Sequence, residues 1–145
     1  MFVFIRLLLA HFIGDFPLQV DNIYKLKSRG LQGIVPHALI IGACGIAMCW
    51  PYLHLPLIWF FLIFMAATHL VQDSIKLNFG DAKYRFWSYL LDQLCHVGLI
   101  AMLFFTNIRN FRPPQDQSNI LVRIYSNDGL MVYFIVLIAA TYNGH

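Results

Sequence analysis

The sequence predicts an all-α protein, a polytopic bundle of transmembrane helices forming one domain, and three observations carry that prediction. Of the 145 residues, 59% are hydrophobic and only 12% charged, about half the charge of an ordinary soluble domain. No Asp, Glu, Lys or Arg occurs from Gly30 to Gln72. That run is too long for one crossing of roughly 20 residues and suits two joined by a tight turn. Polar clusters then divide the rest of the chain into four clear apolar spans and a fifth run at the C-terminal end.

The first span covers about 1–20, the second about 35–50, the third about 56–77, the fourth about 86–105 and the fifth about 130–145. Pro36 and Pro56 suit the first turns of the second and third helices, where a missing N–H is tolerated. "WPYLHLP" (Trp50 to Pro56) reads as the hairpin turn between them, with Trp50, Tyr52 and His54 at the interface. A polar loop, about 107–129, holds "ILVRIY" (Ile120 to Tyr125), which suits a segment lying along the interface, and "SNDG" (Ser126 to Gly129) as turn and N-cap. The fifth run is still apolar at Ala140 and stops at His145, so a truncated C-terminus is expected. Arg6 inside the first apolar stretch and the lack of a small-x-small cleavage site argue against a signal peptide.

The net charge of +3 is spread over loops, and no Lys/Arg block is dense enough for nucleic acid. Lys25, Lys27 and Arg29 follow the first span; Lys76, Lys83 and Arg85 lie between the third and fourth. The positive-inside rule places those loops in the cytoplasm and the N-terminus outside. Cys44, Cys49 and Cys95 sit in apolar stretches without a CxxC pair and read as buried small hydrophobes.

All seven acidic residues are Asp, and three of them fall inside spans: Asp15, Asp73 and Asp92. Each has a histidine one helical turn away, giving His11–Asp15, His69–Asp73 and Asp92–His96. A spacing of four puts both members on one face of a helix. Threading the chain up and down leaves every Asp nearer one membrane face and every His about 6 Å deeper, at 1.5 Å per residue. His37, near the start of the second span, begins from the same face. Ionisable groups at that depth cost several kcal/mol unless they face the bundle interior, so the arrangement predicts one inward-facing layer of donors. Pro17 and Gly14 loosen the helix beside Asp15.

Imidazole nitrogen with carboxylate oxygen, and no thiolate, suits a divalent ion such as Zn, Mn or Fe. The expected metal ligands are His11, Asp15, His37, His69, Asp73, Asp92 and His96. Asp15, Asp73 and Asp92 are the candidates for bridging ligands or a catalytic general base, in metal-dependent hydrolysis of a membrane substrate. Other readings of the same residues stay open at this point. The chain could be a non-catalytic subunit of a larger membrane complex with a purely structural polar layer, a proton or ion conductor, or a tetrapyrrole-binding protein. Asp73 and Lys76 are spaced for a salt bridge, and Gln19, Gln72 and Gln93 for hydrogen-bonding support.

"HFIGDFPLQ" (His11 to Gln19), the isolated His37, "HLVQDSIK" (His69 to Lys76) and "LLDQLCH" (Leu90 to His96) resemble the uncharacterised bacterial membrane family DUF3307. Similar proteins carry H-x-x-G-D-F-x-x-Q, then H-x-x-x-D-x-x-K, then D-Q-x-x-H, and the likeness covers about Met1 to Phe105. The resemblance implies a bacterial inner-membrane protein surrounded by lipid, and longer relatives with further helices. It implies no activity. A fainter likeness, through the His/Asp pairs alone, is to membrane-bound metal-dependent hydrolases.

Overall fold

The computed structural model describes residues 1–18, 30–79, 85–114 and 118–142. Among these the regular elements are all helical: α1 (Phe2–Asp15), α2 (Leu31–Met48), α3 (Pro56–Phe79), α4 (Arg85–Ala101), α5 (Ile120–Ser126) and α6 (Asp128–Tyr142). Short 3-10 turns at Trp50–Tyr52, Met102–Phe105 and Asn107–Asn110 connect them.

Helix α1 is apolar on every side, a pattern that belongs to a surrounded helix, and Val3, Leu7, Leu9 and Ala10 are all buried. It packs mainly against α2 and α6 and touches α4, while α2 packs on α3. Two glycines permit the closest approaches. A Cβ on Gly45 would stand 2.7 Å from Leu62 Cδ2, and one on Gly14 would stand 3.4 Å from the Ile41 Cα and closer still to its side chain. The apolar core gathers around the first part of α1: Phe2, Val3 and Leu7 pack with Cys49, Ile58, Leu62, Ile100 and Leu103, and Ile5 and Leu9 with Met131. The last turn of α1 carries the polar pair. Outward, Leu39, Phe60, Ile63, Leu91, Leu94 and Val136 are exposed, an apolar belt of the kind a bilayer covers.

The four clear spans of the sequence reading are too many. Among the described residues, two helices are long and apolar enough to cross a membrane, α2 and the stretch Pro56–Ile75 of α3. A third crossing exists if α5 and α6, bent by 69° at Asn127, form one broken span. Helix α1 has 14 residues, about 21 Å at 1.5 Å per residue, against a hydrocarbon thickness of about 30 Å. Leu90–Phe105 is likewise a shorter apolar helix. Sequence apolarity overstated these two because α1 is apolar from being enclosed by protein.

Boundaries shift for local reasons. Pro17 has no N–H to continue α1, and the helix closes with Phe16 N–H donating to the Phe12 carbonyl (3.1 Å) and Leu18 N–H to the Ile13 carbonyl (3.1 Å). Pro36 does not open α2. Gly30, with φ 95°, precedes the helix and Leu31 begins it, so Pro36 lies inside; its missing N–H leaves the Gln32 carbonyl outside the helical ladder just before His37. Pro56 does open α3. In the turn before it, Trp59 Nε1 donates to the Leu53 carbonyl at 2.7 Å. The loop of 107–129 is partly helical: Asn119 caps α5 by accepting from Leu121 N–H (2.8 Å), and the Asn127 side chain accepts from Leu130 N–H (3.0 Å) at the start of α6. The cysteines are all free, Cys49 buried as expected but Cys95 exposed on the outer face of α4. Gln19, Lys25, Lys27, Arg29, Lys83, His145 and the side chains of Lys76 and Arg85 lie outside the described residues.

Candidate metal centre

Each donor is placed by a different helix end or turn. Asp15 closes α1 and His11 precedes it by one turn; His37 stands in the second turn of α2; His69 and Asp73 share a face of α3; His96 faces inward from α4. All six are buried, with His37 and Asp73 at 0% and 1% exposure. Two carboxylates so enclosed require compensation by cations or strong donors.

Among the described residues, four atoms from three helices form a ring. His37 Nε2 lies 3.1 Å from Asp15 Oδ1 and 3.8 Å from Asp73 Oδ2. His69 Nε2 lies 3.5 Å from Asp15 Oδ1 and 3.4 Å from Asp73 Oδ2. Ligands held at about 2.0–2.1 Å around a tetrahedral ion stand roughly 3.3–3.4 Å apart, so these four separations have the size of coordination edges. The Asp15, His37 and His69 atoms all lie within 4.8 Å of one another. Gln93 Nε2 reaches Asp15 Oδ2 at 3.4 Å, support from α4 of the kind that orients a ligand carboxylate.

A second donor group, His11, His69 and His96, meets the same distance limit and shares His69 with the first. The His69 and His96 rings are 4.2 Å apart between centroids, and His11 and His96 are 4.9 Å apart. Both ring nitrogens of His96 lack a hydrogen-bond partner among the described residues, as does Gln72 Oε1. His96, Gln72, Thr68, Met65 and Leu99 border a cavity of about 10 Å³ whose inner wall is His11 and His69, room for about one water molecule.

Of the residues singled out from sequence, His11, Asp15, His37, His69, Asp73 and His96 therefore meet. Asp92 is half-buried on α4 and belongs to neither donor group. His54 is exposed in the turn. Sequence reasoning passed over Thr68; its signal was available, because Thr68 and Gln72 are two polar residues one turn apart in an apolar helix. It also noted Arg6 without finding its partners. Arg6 is fully buried at the opposite end of α1, paired with Asp128.

Fold and centre together define a class: a helical protein with segments long and apolar enough to cross a membrane, built around a buried histidine–carboxylate cluster. Residues 3–122 match the model of a family described as a protein of unknown function, DUF3307, and the chain belongs to that family. Compared with the curated proteins and with the solved structures, it matches none.

Proposed function

We propose that this chain is a membrane metalloprotein that holds a divalent ion between Asp15, His37, His69 and Asp73. The observation that carries this reading is the ring of four donor separations, 3.1–3.8 Å, built by three helices in a buried setting. No thiolate lies among the donors. That N/O donor set suits Zn, Mn or Fe. A purely structural hydrogen-bonded layer accounts for the 3.1 Å contact of His37 with Asp15 but leaves the buried His69 Nε2 without a hydrogen-bond partner among the described residues.

Held by these residues, such an ion would supply Lewis acidity, lowering the pKa of water and polarising a carbonyl or phosphoryl oxygen. Hydrolysis of a membrane substrate follows as the proposed activity, with Asp15 and Asp73 as ligands and Asp92, half-buried and outside both donor groups, as the candidate general base. The lipid bilayer is the proposed surrounding, in a bacterial inner membrane. The loop charges Lys25, Lys27, Arg29, Lys83 and Arg85 put the donor-bearing end toward the cytoplasm.

Protein purified without chelator is expected to contain about one equivalent of Zn, Mn or Fe by elemental analysis. Since a ligand held at 100 times its dissociation constant stabilises by about 2.7 kcal/mol, chelation is expected to lower the melting temperature by roughly 5–10 °C. Metal-free protein with an unchanged melting curve in chelator rejects the reading. Acidification should release the ion, because its ligands bind only when deprotonated.

The approach of α1 to α2 offers an independent check. Gly14→Val places branched carbon where Ile41 already stands, which pushes the neighbouring Asp15 away from His37. Metal occupancy is expected to fall at least tenfold while helix content by circular dichroism is kept. Full occupancy in a folded Gly14→Val protein would show that the α1–α2 contact does not set the centre.

A further inference from the structure

The centre has a side opening, and its walls differ from its floor. Among the described residues, helices α3 and α4 make few contacts with each other compared with the tight α1–α2 and α2–α3 seams. The gap between them is lined by Met65, Thr68 and Gln72 from α3 and by His96 and Leu99 from α4, and it leads inward to His69 and His11. On either side of the gap the outer faces are apolar and exposed: Ile63 and Val71 on α3, Leu91 and Leu94 on α4. These are surfaces that acyl chains cover. Inside the gap the chemistry changes, because Gln72 Oε1 and both His96 nitrogens are buried polar atoms without a partner among the described residues. Unpartnered polar atoms in an apolar surround call for a polar occupant.

Resting on the metal reading, we propose that the α3–α4 gap is the entry to the centre from within the bilayer. Its ligand is an amphiphile with a single oxygen-donor headgroup on an apolar chain. The cavity of about 10 Å³ admits about one oxygen atom. A carboxylate or ester carbonyl tip fits it, whereas a sugar, nucleotide or whole phosphodiester does not. The amide of Gln72 and the hydroxyl of Thr68 flank the tip, the ion side of His69 receives it, and the chain lies outward along Met65, Leu99 and the exposed leucines of α4. A water-soluble donor with the same head lacks the chain that brings it to this depth.

The test uses full-length protein in lipid nanodiscs, loaded with Co²⁺ as a spectroscopic substitute, with octanoate and acetate as probes. Cobalt retention is read first. Octanoate is expected to shift the visible cobalt bands at a concentration at least tenfold below acetate. Thr68→Trp, which fills the gap without removing a donor to the ion, is expected to weaken octanoate at least tenfold with the cobalt content unchanged. Leu99→Trp, approaching from α4, should do the same, and serves if Thr68→Trp fails to fold. Retained cobalt with equal response to both probes, or with no effect of either tryptophan, overturns the lateral entry and leaves the metal reading standing. Failure to retain cobalt at all overturns the metal reading and this inference with it.

Discussion

His69→Ala is expected to empty the centre altogether, the largest single effect on metal binding of any substitution in the chain. His69 is the one residue common to both groups, its Nε2 3.5 Å from Asp15 and 3.4 Å from Asp73 and its ring tilted against that of His96 with centroids 4.2 Å apart. Losing even an outer-shell partner of a metal ligand reduces affinity 10- to 100-fold. Losing a ligand shared by two possible ion positions should exceed that, leaving no detectable metal after dialysis. Two companion variants separate the positions. His37→Ala removes a donor only from the carboxylate group, and His96→Ala only from the all-imidazole group. If the ion sits between Asp15, His37, His69 and Asp73, His37→Ala matches His69→Ala, and His96→Ala keeps most of its metal. The reverse order would move the ion to the three histidines and make the carboxylates outer partners. Unchanged metal content in His69→Ala removes the centre from discussion.

These donors were legible in the sequence because period 4 is a property of one helix and needs no tertiary knowledge. His11–Asp15 and His69–Asp73 could be placed on common faces by spacing alone, and alternation of helix direction then brought them to one depth. What spacing cannot give is depth of burial. Asp92 and His96 satisfy the same rule and share a face of α4, yet His96 is buried and Asp92, one turn nearer the start of the helix, is half-buried. The span count failed for a related reason. Hydropathy registers the absence of water and does not distinguish lipid from protein, so α1, enclosed by α2, α4 and α6, reads like a crossing despite its 14 residues. Pro36 was misplaced because Gly30, through its positive φ, starts α2 earlier than the apolar run begins.

The other large effect is expected at the far end of α1, where Arg6→Ala should destabilise the fold by about 3 kcal/mol or more. Arg6 is completely enclosed, and its guanidinium is used on every side. Nε donates to the Tyr125 carbonyl at 3.2 Å and Nη2 donates to the same oxygen; Nη1 donates to the Phe2 carbonyl at 3.2 Å and pairs with Asp128. The Phe2 ring lies beneath, 3.5 Å from Cζ to the ring centre, with Tyr125 at 5.2 Å. This is the joint at which α5 ends and α6 begins, bent by 69°. A cation at the carbonyl end of α5, and an aspartate in the first turn of α6, each match the helix dipole they meet. Truncation leaves a buried carbonyl without a charged donor, at about 1.5–3 kcal/mol, and a void beneath two rings whose lost contacts add to it. The Asp128 side chain is 49% exposed and stays hydrated, so Asp128→Asn is expected to cost only about 1 kcal/mol. Arg6→Lys keeps the charge and loses the fork, and should fall between. Thermal unfolding in detergent should rank the three in that order, with a shift of about 6–12 °C for Arg6→Ala. The centre at the other end of α1 supplies the control. If Arg6 anchors the joint alone, folded Arg6→Ala protein at low temperature keeps its metal. Asp128→Asn as damaging as Arg6→Ala would mean that the ion pair, and not the carbonyl and ring contacts, holds α5 and α6 to the bundle.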